Sequence, residues 1–448
     1  MASYLSSTKE EQQAMLSEIG LSSVEALFAD LPESVCLSRD LELPPALSEM
    51  ELTSYMRKLS QKNISLDDTR CFLGAGAYDH FIPSVVGNLT SRQEFYTAYT
   101  PYQPEISQGT LQAIFEFQSM ICELTGMDIA NASMYDGATA LAEAVAMAAS
   151  QTGRNEVLIA NTVHPESREV LKTYAHYKGI AVKEIGYHNG SIDLDALAAA
   201  CSDQTAAVIV QSPNFFGIIE DLGQAAEVTH QHKALLIASV DPISLAILKS
   251  PGELGADIVV GDGQCLGNPI SFGGPGLGFM ATSKKLMRKL PGRVVGQTTD
   301  VDGKRAFVLT LQTREQHIRR DKATSNICSN QALNALAATI YMTVLGKEGL
   351  KEVATLCLNK AHYLHDQLIQ SGEFTPIFSA PFFKEFAVSS TGDTEALNNA
   401  LLADQIIGGY VVEKSYPELK NGWLLAVTEK RTRLEMDSLV EKAVNHCD

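Results

Sequence analysis

The loop that begins an alanine-rich helix has the residue types of an anion-binding site. Asp136, Gly137, Ala138 and Thr139 follow one another, and the alanine-rich segment runs on to about residue 150. Small side chains at a helix start leave backbone N–H groups open, and the helix dipole favours a negative charge there. Gly137 and Thr139 are therefore candidates to hold a phosphate group. The alternative is an ordinary helix capped by Asp136, which the motif taken alone favours.

Two further polar residues follow strand-like runs. His164 comes after an apolar run at 157–160, and Asp241 comes after one at 234–238. In enzymes that use pyridoxal phosphate (PLP), a histidine or aromatic ring in the first position stacks on the pyridine ring. A carboxylate in the second position keeps the ring nitrogen protonated, which makes the ring an electron sink. A lone histidine or a Ser-x-Asp-Pro turn is more often structural, so these residues are informative through their order in the chain.

The segment that should carry the lysine of such an enzyme has none. Residues 251–283 contain neither lysine nor arginine, although an apolar strand at 257–260 and a glycine-rich stretch at 273–276 follow in the expected order. A lysine amine holds PLP covalently in these enzymes. Here the equivalent place falls at Gln264 or Cys265, and neither side chain can form that bond. We therefore predict a vestigial or repurposed cofactor pocket to which Gln264 belongs.

A run rich in tyrosine and proline is the most distinctive sequence motif in the chain. Residues 95–109 read FYTAYTPYQPEISQG, which suits neither a helix nor a regular strand. We expect a rigid loop that presents the hydroxyl groups of Tyr96, Tyr99 and Tyr102. The alternative is a purely structural loop.

One dense basic stretch stands out in an otherwise acidic chain. Residues 314–330 include Arg319, Arg320 and Lys322. These side chains could bind a carboxylate, a phosphate or an acidic protein partner. The alternative, which we favour, is that they form ion pairs that fix the joint between two domains.

Four runs resemble the glycine dehydrogenase (decarboxylating) P-protein family, and the likeness covers nearly the whole chain. They lie at 74–83, 95–109, 251–283 and 314–330. The chain is similar to the amino-terminal half, or subunit 1, of that family, because it lacks the His-Lys pair of the catalytic half. A lone Gly-x-Gly in the first run has no Rossmann strand before it, so we reject a dinucleotide site.

The resemblance implies a fold, a partner and a reaction. The fold is the α/β fold of PLP-dependent transferases (fold type I), and this chain is the subunit without covalent PLP. A lysine-bearing subunit 2 binds PLP, in a heterotetramer of two copies of each subunit. The complex decarboxylates glycine with PLP and transfers the aminomethyl group to the lipoyl group of H-protein. No residue of this chain receives a catalytic role, and Tyr96, Tyr99 and Tyr102 are expected to border the cleft at the subunit interface.

Two other classes of function stay open on the sequence. One is a self-sufficient PLP enzyme that uses another lysine, such as Lys284 or Lys285. Both residues follow the strand instead of preceding the glycine-rich turn, which disfavours this class. The other is a regulatory or scaffold homologue without a catalytic partner. A neighbouring gene for a lysine-bearing homologue would argue against it.

The composition of the chain limits which cellular compartments and which classes of partner are expected. The 448 residues carry a net charge of −18, which argues against nucleic acid and anionic membranes as partners. The eight cysteines show no Cys-x-x-Cys pair and no Cys/His metal spacing, so we predict reduced thiols and no metal site. The polar N-terminus lacks the apolar core of a signal peptide, and no apolar run is long enough to span a bilayer. We predict a cytoplasmic protein.

The elements that must position these residues alternate along the chain. We predict an N-terminal helical arm at 1–65, a PLP-transferase-like large domain at 66–325 and a small α/β domain at 326–448. In the arm, capping patterns predict three helices, of which the second begins at Ser22 and ends at Pro32. In the large domain, apolar runs alternate with helical stretches, which implies a mainly parallel sheet covered on both faces. The predicted strands are 157–160, 180–185, 206–210, 234–238 and 257–260.

Overall fold

The computed structural model describes residues 6–323, 325–327 and 330–446. The chain divides into two compact units, Met1–Ile64 and Ser65–Asp448. The α-helices are α1 Lys9–Glu18, α2 Glu49–Ser60, α3 Ser84–Thr90, α4 Gln93–Tyr96, α5 Gln108–Thr125, α6 Gly137–Thr152, α7 Pro165–Lys178, α8 Leu194–Ala200, α9 Leu222–Gln231, α10 Gln316–Arg319, α11 Ala332–Gln370, α12 Thr394–Ala403 and α13 Arg433–Asn445. The strands are β1 Arg70–Cys71, β2 Ile129–Ala130, β3 Glu156–Ala160, β4 Ala181–Ile185, β5 Tyr187–His188, β6 Ser191–Ile192, β7 Thr205–Ser212, β8 Leu235–Val240, β9 Ile258–Asp262, β10 Gly278–Thr282, β11 Val294–Thr299, β12 Arg305–Thr310, β13 Phe374–Pro376, β14 Glu385–Ser390, β15 Ile406–Ile407, β16 Tyr410–Val411 and β17 Gly422–Ala426.

The first unit contains two of the three predicted α-helices. Thr8 and Ser48 begin α1 and α2, and each forms a capping box with the glutamate three residues later. The helix predicted between Ser22 and Pro32 is instead a single 3-10 turn at Glu25–Phe28. That stretch is too short to offset the cost of helix nucleation, and the residue before a proline avoids helical backbone angles. In the described part of this unit, Leu16 is the one buried side chain.

A seven-stranded mixed sheet forms the centre of the second unit. Its strand order is β2-β10-β9-β8-β7-β3-β4. The five strands from β9 to β4 are parallel, and β10 pairs antiparallel with β9 and with β2. Strand β7 is buried along nearly its whole length, as expected for a central strand with helices on both faces. The prediction of an α/β fold with a mainly parallel sheet is confirmed.

The C-terminal part has its own sheet and core. Strands β13, β14, β17 and β16 form a four-stranded sheet, and its buried Trp423 stacks on Phe374 with ring centroids 5.8 Å apart. Helix α11 links the two cores and changes direction at Gly346, where φ is 59°. Strand β1 pairs in parallel with β15 in a separate two-stranded sheet, so residues shortly after the first unit pair with the C-terminal part of the chain. The division of the chain at residues 65/66 and 325/326 into domains stays a prediction.

None of the helices in the described ranges combines the length and the apolar content that crossing a membrane requires.

A close backbone contact holds the C-terminal sheet against the large sheet. Gly217 has a φ of +82°, and a Cβ atom there would lie 1.7 Å from the carbonyl oxygen of Glu385. The backbone N–H of Phe383 donates to the carbonyl oxygen of Gly217 at 3.0 Å. This contact places the start of β14 at the carboxyl edge of the central sheet.

We predict that Gly217→Ala destabilises the chain severely, because the new methyl group must push β14 away. Gly303→Ala is the matched control, since Gly303 also has a positive φ of 75° but has open space around it. The free energy of unfolding of the control should fall by about 1–2 kcal/mol, from backbone strain alone. That of Gly217→Ala should fall by roughly 4 kcal/mol or more. Urea denaturation measures both, and equal losses would contradict the proposed close contact.

Candidate functional site

A polar cleft opens where several parallel strands of the central sheet end. Its volume is about 730 Å³. Four of the five predicted cofactor-binding residues line it, namely Gly137, His164, Asp241 and Gln264. They meet there because His164, Asp241 and Gln264 follow β3, β8 and β9, and because the first turn of α6 faces the same edge. Thr139 lies one turn further into α6 and is not part of the lining.

At one end of the cleft, the start of α6 is already occupied by a carboxylate. Asp136 caps the helix by accepting from the backbone N–H of Thr139 at 2.7 Å, and the Thr139 hydroxyl also donates to that carboxylate at 2.7 Å. The N–H of Gly137 donates to Oδ2 of Asp262 at 3.0 Å. Burial raises the pKa of Asp262, whereas its bonds from backbone N–H groups oppose that rise. The open N–H that the sequence predicted for an anion thus already has a partner.

His164 is fixed by a backbone loop. Its Nε2 lies 2.8 Å from the carbonyl oxygen of Ala75, and its Nδ1 accepts from the N–H of Glu166 at 3.2 Å. These partners assign the hydrogen to Nε2, which donates to Ala75. Burial lowers the pKa of His164, which agrees with a neutral ring. One edge of the ring meets Phe215, with centroids 5.0 Å apart.

Asp241 forms a buried ion pair with a lysine from the C-terminal sheet region. Nζ of Lys384 lies 2.6 Å from Oδ2 of Asp241, and the lysine side chain is only 2% exposed. Nζ also lies 3.7 Å from the centre of the Tyr78 ring, a cation–π contact. Burial works against the charge of Lys384, but the Asp241 carboxylate outweighs it and raises the lysine pKa. Lys384 is therefore a protonated counterion and not a free amine nucleophile.

Gln264 also binds the loop that carries Ala75. Its Oε1 accepts from the N–H of Tyr78 at 2.9 Å, and its Nε2 donates to the carbonyl oxygens of Tyr78 and Asn268. Glu385 holds the same loop from the other side, accepting from the N–H of Ala75 at 2.6 Å and from the Tyr78 hydroxyl at 2.8 Å. Residues 75–78 are thus clamped inside the cleft.

The ion pair continues into the interior as a relay of hydrogen bonds. Lys384 Nζ lies 3.1 Å from Nε2 of His80, and Nδ1 of His80 lies 2.7 Å from Glu429. The ammonium can only donate, so Nε2 accepts and Nδ1 carries the hydrogen. Burial opposes the charge of Glu429, but hydrogen bonds from His80 and from the N–H of Phe81 lower its pKa to about 2. Along this relay Asp241 is negative, Lys384 is positive, His80 is neutral and Glu429 is negative.

Three side chains of this region have the spacing of metal ligands. The ligand atoms of His80, Cys357 and Glu429 lie within 4.8 Å of one another. A metal ion would need the Nδ1 lone pair of His80, which the contact with Lys384 commits to an N–H. It would also need a thiolate, whereas burial raises the pKa of Cys357. The protonation pattern argues for a hydrogen-bonded relay at this place.

Sequence reasoning missed Lys384, Glu385 and Asp262. A usable signal existed for the first two, because Lys384 and Glu385 interrupt an otherwise apolar run at 382–388. Charged residues in a buried strand need partners, so such a pair indicates a buried polar network. Asp262 gave no comparable signal, since a carboxylate at the end of a strand is common.

The predicted tyrosine loop is irregular at Tyr99 and Tyr102, but Tyr96 is the last residue of the short helix α4, so the prediction was wrong there. Tyr96 and Tyr99 are 68% and 82% exposed. Tyr102 is held by Arg293, whose Nη2 donates to the hydroxyl at 2.6 Å and whose guanidinium lies 5.1 Å from the ring centre. A second, mostly apolar cavity of about 250 Å³ lies beneath the loop. Which tyrosine reaches a neighbouring active site stays a prediction, and the geometry favours the two exposed rings.

The remaining basic candidates are all exposed. Arg319, Arg320 and Lys322 have no ion pair within the described residues, so the structure offers no support there for a role in fixing a domain joint. Thr324, Cys328 and Ser329 in the same run lie outside the described residues. Lys284 and Lys285 are exposed in a 3-10 helix after β10 and do not line the cleft.

The sheet, its strand order and the cleft at its carboxyl edge define the fold of PLP-dependent transferases of fold type I. Residues 2–443 match the glycine cleavage system P-protein family. The chain belongs to that family.

Curated relatives and solved structures agree. A probable glycine dehydrogenase (decarboxylating) subunit 1 of Carboxydothermus hydrogenoformans is 57% identical over 438 residues, which is 98% of each chain. The protein of the same description from Moorella thermoacetica is 55% identical, again over 98% of each. A crystal structure of glycine decarboxylase (P-protein) of the glycine cleavage system, in inhibitor-bound form, matches with a TM-score of 0.91 and 45% identity, over 99% of this chain and 100% of that one. Glutamate decarboxylase of Lactobacillus brevis, at 13% identity, shares the fold with a TM-score of 0.70, over 92% of this chain and 95% of that one.

The residues of this cleft do not fit the PLP that the fold class implies. Gln264, one of the two residues at the predicted place of the lysine, is bound to a backbone loop. Asp262 already occupies the N–H of Gly137, and Lys384 already neutralises Asp241. The cofactor's phosphate and ring nitrogen would each meet an unfavourable partner.

Glu385 predicts a specific pH dependence of stability. Burial raises its pKa to about 7, above the ordinary value of 4.5. Its contribution to stability is therefore fully present below pH about 4.5 and is lost as pH rises through about 7, a change of about 3 kcal/mol. Glu385→Gln keeps an acceptor but cannot ionise, so it should gain stability relative to the unaltered chain as pH rises.

The measurement is urea denaturation of both proteins between pH 5 and 8. Glu116→Gln, on an exposed face of α5, is the control and should leave the pH profile unchanged. Parallel profiles for the unaltered chain and Glu385→Gln would show that Glu385 does not titrate in this range.

Proposed function

We propose that this chain is the subunit of glycine decarboxylase that carries no covalent PLP, and that it works with a lysine-bearing subunit 2. The observation that carries the proposal is the fold of PLP-dependent transferases combined with a cleft in which the N–H of Gly137 and the carboxylate of Asp241 already have partners from this chain. The relatives named subunit 1 support a second subunit. The complex then decarboxylates glycine with PLP held by subunit 2 and transfers the aminomethyl group to lipoylated H-protein.

This division of labour gives the present chain a structural and positioning role. A buried network at Lys384 and Glu385 makes its own cleft rigid, so the chain can act as a firm wall for its partner. The exposed rings of Tyr96 and Tyr99 supply hydroxyl groups at the surface that we expect to face the partner's cleft. We further propose a heterotetramer with two copies of each subunit, located in the cytoplasm.

The alternative of a self-sufficient PLP enzyme has little support. Lys284 and Lys285 lie outside the cleft, and Lys384 inside it is committed to Asp241. A scaffold without catalysis is tested by the same experiment as the proposal itself. The chain is co-expressed with the product of a neighbouring lysine-bearing homologue, and glycine–bicarbonate exchange is assayed with H-protein. Exchange that needs both subunits supports the proposal, and exchange by the partner alone would contradict it.

We predict that Tyr99→Phe lowers exchange activity of the complex while leaving assembly intact. Removal of one hydroxyl that contacts the reacting groups costs roughly tenfold in rate, equivalent to about 1.4 kcal/mol. Tyr177→Phe is the matched control, because Tyr177 is 85% exposed on α7, outside the tyrosine loop. Exchange assays and size-exclusion chromatography measure the two effects. An unchanged rate for Tyr99→Phe and for Tyr96→Phe would remove the loop from the active site.

A further inference from the structure

At each end of the cleft, a group that could bind PLP is already paired with a charged side chain of this chain. The N–H of Gly137 is paired with Asp262, and the carboxylate of Asp241 is paired with Lys384. We propose that Asp262 and Lys384 are built-in replacements for the phosphate and the pyridinium of the cofactor. The chain's own charges, and not only the missing lysine at position 264, then keep the cleft closed to PLP. This inference rests on the proposed function in one respect, namely that the cofactor belongs to the partner subunit.

The replacement for the phosphate lies at the start of α6. This helix has 16 residues, and its dipole favours an anion at the N-terminus. The carboxylate of Asp262 takes that position, 3.0 Å from the N–H of Gly137. The fit is close, because a Cβ on Gly137 would lie 3.0 Å from the Cβ of Asp262. A phosphate in the same place would face the carboxylates of Asp262 and Asp136 at short range, which is strongly repulsive in a buried setting.

The replacement for the pyridinium lies at Asp241. The Lys384 ammonium is 2.6 Å from the carboxylate and is enclosed by Tyr78 and His80. A protonated ring nitrogen could reach Asp241 only if the ammonium left, since two buried cations cannot share one carboxylate without a large penalty. Residues 75–78 line the cleft between the two ends, and Gln264 holds the backbone of Tyr78 there.

A consequence is that restoring the lysine is not sufficient. Gln264→Lys leaves both internal counterions in place, so the variant should trap no PLP after borohydride reduction. It should also lose the clamp on the backbone of Tyr78. A stoichiometric adduct on position 264 would overturn the proposal, because it would show that the charges do not exclude the cofactor.

The phosphate end is tested with inorganic phosphate and the full chain without its partner. The unaltered chain should show no rise in melting temperature beyond that given by sodium chloride of equal ionic strength. Phosphate should raise the melting temperature of Asp262→Ala by about 2 °C or more, because the freed N–H of Gly137 then binds the anion. Asp221→Ala is the control, since it frees the N-terminus of α9, where Asp221 accepts from Gln224 at 3.0 Å. Stabilisation of the unaltered chain by phosphate, or an equal rise in the melting temperature of the control, would contradict the proposed role of Asp262.

The cationic end is tested by chemical rescue, which stays informative if the first variant folds poorly. Lys384→Ala should lower the melting temperature by about 5 °C or more, because it leaves Asp241 buried and unpaired. Propylammonium should restore part of the loss, and propanol of similar size should not. Equal effects of the two compounds, or no loss in the variant, would contradict a counterion role. These readouts involve no partner subunit, so a failure here is distinct from a failure of the exchange assay.

Discussion

The buried ion pair between Lys384 and Asp241 is the interaction on which the rest of the site depends. It joins Lys384, which precedes a strand of the C-terminal sheet, to Asp241 at the carboxyl end of β8, with the charged atoms 2.6 Å apart and the side chains 2% and 13% exposed. Removing one partner of such a pair leaves an uncompensated charge, which typically costs about 3–5 kcal/mol. The pair therefore fixes how the two sheets meet, and the relay through His80 to Glu429 extends that constraint into the interior.

The same pair can stabilise this fold without a cofactor in the cleft. In a PLP enzyme the cofactor links groups from several strand ends. Here the protein supplies those links itself, with Asp262 at the first turn of α6, Lys384 at Asp241, and Gln264 on the backbone of Tyr78. The outer surface is then free to serve a partner, which agrees with two exposed tyrosines on a loop of this chain.

Much of the fold follows from local patterns. The five parallel strands and the helices between them were predictable because buried parallel strands are short apolar runs that alternate with amphipathic helices. The same order placed Gly137, His164, Asp241 and Gln264 at one cleft. Lys384 was not predictable as a member of the site, because it comes more than a hundred residues later and reaches Asp241 only through tertiary packing. The helix expected after Ser22 was wrong because capping residues cannot stabilise so short a segment.

We propose that the PLP of the complex is bound to the partner subunit and not to this chain. The most direct measurement is reductive trapping of PLP with borohydride in the purified two-subunit complex, followed by peptide mapping of both chains. We expect one pyridoxyl group for each copy of the lysine-bearing subunit and none on any lysine of this chain, Lys384 included. A stoichiometric pyridoxyl group on a peptide of this chain would contradict it.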